Sequence, residues 1–115
     1  MADPGPLPEL DPIVHGQLRL AILSLLAGTE EADFRWLREK TRATDGNLGA
    51  NLAKLEQAKY VGVTKQFVAK KPNSVYRLTP AGRAALASYV EGLRRLLGDS
   101  LYGSPERDLK VPPAR

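Results

Sequence analysis

The sequence predicts a mainly α fold with one small antiparallel β-hairpin, and three observations predict it. Apolar residues recur at helical spacing in four segments, each opened by a residue suited to capping. One β-branched and aromatic run, with a basic, turn-rich tip, lies between the third and fourth segments. Charge also divides along the chain. Residues 1–34 carry a net −5 and residues 35–115 a net +9, within a total of +4.

Residues 1–10 hold Pro4, Gly5, Pro6 and Pro8 and read as a flexible arm. Asp11-Pro12 supplies a cap followed by proline at the first helical position, so a helix is expected from Pro12 to about Ala27, ending at Gly28. Val14, Leu18, Ala21, Ile22, Leu25 and Leu26 gather on one side of it, and Ile13, Leu20 and Leu23 on the other. Two apolar faces on one helix imply that one packs inward and one meets a second chain. Asp33 caps a short helix to Lys40, with Phe34 and Leu37 on one face. Thr44 caps the next helix, which runs to about Ala58 and buries Leu48, Leu52 and Leu55.

On the adjacent face of that third helix lie Asn47, Asn51 and Lys54, beside the small residues Gly46 and Ala50. Such a face can come close to a surface and still offer hydrogen-bonding groups. Asn pairs bidentately with adenine, and Lys reaches guanine or phosphate. The hairpin follows. Its first strand takes in Tyr60 to Val68, its tip Ala69 to Ser74, and its return strand Val75 to Leu78. From Lys59 to Arg77 there are five basic residues (Lys59, Lys65, Lys70, Lys71 and Arg77) and no acid, a distribution suited to clamping phosphates. Thr79-Pro80 opens a final helix to about Leu97, with Leu86, Tyr89, Val90, Leu93, Leu96 and Leu97 as its stripe. Residues 98–115 read as a disordered tail.

Helix, helix and basic ribbon, in that order, is the layout of a winged helix-turn-helix. The stretch Thr44-Asp45-Gly46-Asn47-Leu48, continuing through Leu52, Leu55, Glu56, Tyr60 and Val61, and then Val75 to Arg83, resembles small bacterial winged-helix transcriptional regulators of the MarR and ArsR types. The resemblance covers roughly residues 11–97. It implies a homodimer that binds double-stranded DNA, with the second short helix reading the duplex and the hairpin touching backbone or minor groove.

Composition narrows the alternatives. No apolar run approaches the ~20 residues of a membrane span, and no leader-like segment opens the chain, so a cytoplasmic location is expected. The chain has no cysteine, which excludes disulfides, thiolate zinc and thiol redox chemistry within it. The lone histidine is His15, and no carboxylate pair, metal spacing or nucleophile–base arrangement stands out. No catalysis and no cofactor are expected, and the sequence names no small-molecule effector.

The expected DNA-reading set is Thr44, Gly46, Asn47, Asn51 and Lys54, and the expected wing set is Lys65, Lys70, Lys71, Asn73 and Arg77. Ile13, Leu20, Leu23, Tyr89, Leu93, Leu96 and Leu97 are the expected dimer surface. The competing reading is a winged-helix adaptor whose basic face binds an acidic protein.

Overall fold

The four helices and the hairpin are all present, with one further short strand. The computed structural model describes residues 6–98 and 101. The order is α1 (Gln17–Ala27), β1 (Ala32–Asp33), α2 (Phe34–Thr41), α3 (Asp45–Gln57), β2 (Val61–Val68), β3 (Lys71–Leu78) and α4 (Pro80–Leu97). The caps at the last three helices act as their side chains dictate. Asp33 accepts from Trp36 N–H at 2.8 Å, Thr44 from Asn47 N–H at 3.1 Å, and Thr79 from Gly82 N–H at 2.9 Å.

The first helix starts later than Asp11-Pro12 suggests. Asp11 caps only a single turn, accepting from Ile13 N–H at 2.8 Å. Gly16 then takes extended backbone (φ −162°, ψ 134°) and becomes the N-cap of α1. Arg19 folds back over this break. Its Nε donates to the Ile13 carbonyl at 2.6 Å, and a Cβ at residue 16 would lie 2.6 Å from its Nη2. Glycine leaves room for the arginine that satisfies the broken turn.

Both apolar faces of α1 are consumed inside the chain. The helix packs against α2, α3, α4 and β3. Leu23, expected at a dimer surface, is 0% exposed, and Ile13 and Leu20 are half-buried against the same core. Tyr89 is likewise buried at 6% exposure, and its hydroxyl meets His15 Nδ1 at 2.8 Å. The double-sided pattern marks a central helix, with neighbours in its own chain to cover both sides. Leu93 and Leu96 are half-buried, whereas Val90 and Leu97 on α4 are exposed.

The part of the arm that is described, from Pro6, docks on the body. Leu10 joins the core, and its Cδ2 would lie 3.2 Å from a Cβ at Gly92 of α4. The Tyr60 hydroxyl donates to the Asp11 carboxylate. Burial opposes the Asp11 charge. The hydroxyl of Tyr60 and the backbone N–H groups of Ile13 and Val14 outweigh it and hold the carboxyl below its usual range. The same bond pushes the Tyr60 phenol up. Residues 1–5 and the expected tail beyond Gly98, apart from Leu101, lie outside the described residues.

The sheet order is β1-β3-β2, all antiparallel. The two-residue β1 pairs Ala32 with Tyr76 and Asp33 with Val75, tying the start of α2 to the hairpin. The hairpin tip is tighter than expected. Its ladder runs out to Val68 and Lys71, leaving only Ala69 and Lys70 in the turn. Both have positive φ (50° and 65°), as a type I′ turn requires, without the usual Asn or Gly. Lys71 to Ser74 therefore belong to β3. Pro72 is tolerated there because in a two-residue hairpin the pair next to the closing one is not hydrogen-bonded, so its missing N–H breaks no bond to β2.

One glycine fixes how the hairpin meets α4. Thr79 N–H donates to the Tyr60 carbonyl at 3.1 Å, and a Cβ on Gly82 would collide with that same oxygen. The Leu78-Thr79-Pro80-Ala81-Gly82 sequence thus combines a cap, a helix-starting proline and a close backbone crossing.

Candidate nucleic-acid interface

The helix α3 is held from three directions. Leu48 and Leu55 are fully buried and Leu52 is 2% exposed, which anchors one face in the core. At its start, Arg38 of α2 donates to Asp45 at 2.9 Å, and this bond lifts the arginine pKa further above its usual value. The turn between α2 and α3 passes through Arg42 at φ 58°, a left-handed C-cap whose N–H bonds the Arg38 carbonyl at 2.8 Å. The third tie comes from α1. Arg19 Nη1 donates to Asn51 Oδ1 at 2.8 Å, while Asn51 Nδ2 donates to the Asn47 carbonyl at 2.8 Å and to Asn47 Oδ1 at 3.0 Å.

That network revises one expectation. The helical spacing points Asn51 at a base edge, but its oxygen and amide are engaged within the chain. It serves here as a strut between Arg19 and Asn47. Sequence reasoning misses Arg19 because it lies 32 residues away and nothing local marks its direction. Asn47 is exposed, and its own Nδ2 remains available beyond the Asn51 bond.

The outward face of α3 carries Thr44, Gly46, Asn47, Ala50, Ala53 and Lys54, all exposed. A Cβ at Gly46 or at Gly49 would meet nothing within 4 Å. Folding therefore does not require glycine at either position, and each costs about 1 kcal/mol of helix propensity relative to alanine. At Gly46 the missing side chain leaves a shallow surface beside Asn47 that a large partner can approach, whereas half-buried Gly49 lies around the helix from Asn47 and Lys54.

The wing extends beside it. Lys65, Lys70, Lys71 and Arg77 are exposed and Asn73 is half-buried. Gly62 leaves room for the Arg77 guanidinium, whose Cζ would lie 3.1 Å from a Cβ there, and Nη1 reaches Thr64 Oγ1 at 3.0 Å. Among the described residues no ion pair engages Lys54, Lys65, Lys70 or Lys71. The cations of α2 differ. Arg35 pairs with Glu39 at 3.3 Å, Arg38 with Asp45, and Lys40 Nζ lies 5.7 Å from the Trp36 ring centroid. The wing lysines and Lys54 thus carry ammonium groups with no ion-pair partner among the described residues, a form of charge that phosphate can use.

Three-helix packing, a partly exposed third helix and a two-stranded basic ribbon define a winged-helix domain. The model of the winged helix DNA-binding domain family matches residues 18–97, and the chain belongs to that family. It is 34% identical over 84 residues to an uncharacterized protein of Methanocaldococcus jannaschii, covering 73% of this chain and 91% of that one.

Among solved structures it is similar to a transcriptional regulator homologue from Pyrococcus horikoshii (TM-score 0.71, 24% identity, 77% of this chain and 88% of that one). It is also similar to Sco3205, a MarR family transcriptional regulator from Streptomyces coelicolor solved in complex with DNA. There the TM-score is 0.58 at 21% identity, over 82% of this chain and 63% of that one. At these identities the structural likeness is one of fold. No described helix is long and apolar enough to cross a membrane.

Proposed function

We propose that the protein is a transcriptional regulator that binds double-stranded DNA sequence-specifically as a homodimer. The observation that carries this reading is the outward face of α3, where exposed Asn47 and Lys54 lie beside Gly46, a glycine that the fold does not need. In this mechanism α3 enters the major groove, and Asn47 and Lys54 meet base edges or nearby phosphate. Gly46 and Ala50 let the helix backbone come close, and Thr44 holds its first turn. Asn51 and Arg19 keep Asn47 in place. The unpaired wing lysines and Arg77 hold the phosphate backbone, which adds affinity but little sequence information.

Membership of a DNA-binding family supports the DNA partner, and the solved neighbours named as transcriptional regulators agree with it. The dimer reading rests on exposed apolar side chains near the end of α4, Val90 at 54% and Leu97 at 38%, beside half-buried Leu93 and Leu96. A two-fold dimer would present two α3 helices to half-sites about 34–36 Å apart on an imperfect palindrome.

Fluorescence anisotropy against the protein's own upstream intergenic DNA and a scrambled duplex, over a salt series, tests this reading. Tighter binding to the upstream duplex that persists near physiological salt is the expected result. Equal, salt-sensitive binding to both would point to an architectural binder. No binding even at low salt would favour an adaptor for an acidic protein.

A further inference from the structure

The tip of the wing carries an apolar pair that neither the core nor a phosphate clamp explains. Phe67 is 75% exposed on β2, and its cross-strand partner Pro72 is also exposed. Cross-strand partners share a face, so the pleat places Val61, Val63, Lys65 and Phe67 with Leu78, Tyr76, Ser74 and Pro72 on one side. At the base of the hairpin that side packs inward, with Val61 buried in the core and Tyr76 and Leu78 against it. At the tip the same side leaves the body and presents Phe67 over Pro72. A non-hydrogen-bonded pair brings its two side chains closer than a hydrogen-bonded one, so the ring and the pyrrolidine form one apolar ridge.

The surroundings of the ridge select its occupant. Lys65 lies on the same face, Lys70 in the turn and Lys71 beside Pro72, and residues 61–78 include no acidic side chain. An apolar ridge flanked by unpaired ammonium groups is complementary to a surface with anionic rims and an apolar floor. A second copy of this chain would set lysine against lysine there. The DNA minor groove, with phosphates along both edges and sugar and base faces between them, has the required chemistry.

We propose that Phe67, backed by Pro72, is a minor-groove wedge that partly unstacks a base step and bends the duplex toward the major groove. This rests on the DNA-binding reading of α3. Phe and Pro are among the side chains that act this way, and the flexible TA and CA/TG steps accept the kink most readily. The wing then contributes to sequence selection through DNA deformability, beyond its phosphate contacts.

The test uses the full chain and a 30-bp duplex enriched by the wild-type protein from a random library, end-labelled as an energy-transfer pair. Wild-type protein should shorten the end-to-end distance. Phe67→Ala should abolish that shortening and weaken binding about tenfold, with the salt dependence and melting temperature unchanged. Lys70→Ala with Lys71→Ala should reduce the salt dependence and keep the bend. A Phe67→Ala variant that still binds and bends like wild type would overturn the wedge while leaving the role of α3 intact. So would a Phe67→Ala variant that lost self-association in light scattering and kept its DNA binding unchanged. Failure of the wild-type protein to enrich or bind any duplex would instead remove both proposals.

Discussion

The helix α3 and the wing touch along β2 but are held in opposite ways. Side chains fix α3: three buried leucines, the Thr44 cap, the Arg38–Asp45 pair and the Arg19–Asn51–Asn47 chain. Backbone pairing holds the wing, where every residue from Thr64 to Pro72 is exposed. The difference suits two tasks. A base-reading group needs its position set to within a fraction of an ångström, whereas attraction between ammonium groups and phosphate tolerates movement.

Substitutions should separate the two regions, and the largest contrast is in stability. Leu52→Ala should cost about 2–5 kcal/mol, since it opens a cavity under α3. Phe67→Ala on the wing should change stability by less than about 0.5 kcal/mol. Urea unfolding of the two variants measures this, and similar losses would mean that the wing is a load on the core rather than an appendage.

The second contrast is in binding. Asn47→Ala should lose about 1–3 kcal/mol of discrimination at one base position and keep the salt dependence. Lys70→Ala with Lys71→Ala should weaken all duplexes alike and lower the salt slope by about 2 for each protomer on the DNA, about 4 for the dimer. Anisotropy over a salt series with single-base variants reads both quantities.

A smaller effect concerns α3 alone. Gly46→Ala fills open space in the first turn of α3, so it should stabilise the chain by about 0.5–1 kcal/mol. The same methyl should weaken DNA binding, because it stands on the approaching face. Opposite signs in thermal melting and anisotropy are the expected outcome. Equal signs would mean that the glycine serves the fold.

The smallest effect lies away from both regions, at the docked arm. Asp11 has a depressed pKa in the fold, so its contribution is complete above its unfolded value near pH 4 and is lost as pH falls through the folded one. The Tyr60 pKa is raised, so its share is present below about pH 10 and is lost at higher pH. Asp11→Asn should flatten the acid limb of the melting curve against pH by a small amount.

Much of the fold is legible in the sequence wherever the signal is local. Thr44 with its leucine repeat places α3 from Asp45, and Thr79-Pro80 places the start of α4, because caps and 3.6-residue periodicity act within a turn or two. What escapes depends on partners distant in the chain. Nothing near Asn51 reveals that Arg19 claims its oxygen. The two apolar faces of α1 look like an interface until α2, α3 and α4 are seen around it. The sequence misplaces the tip of the wing because Pro72 and Asn73 are stronger turn formers than Ala69 and Lys70, and ladder pairing overrides them. Two residues are too few for β1 to show any alternation.

The most direct test of the division between helix and wing is a backbone amide spectrum of the protein, recorded as a 30-bp upstream duplex is added. Gly46, Asn47, Ala50 and Lys54 should shift together with Lys65 to Lys71, and the wing shifts alone should revert on adding salt. Shifts confined to α4, or absent from α3 at saturating duplex, would contradict that division.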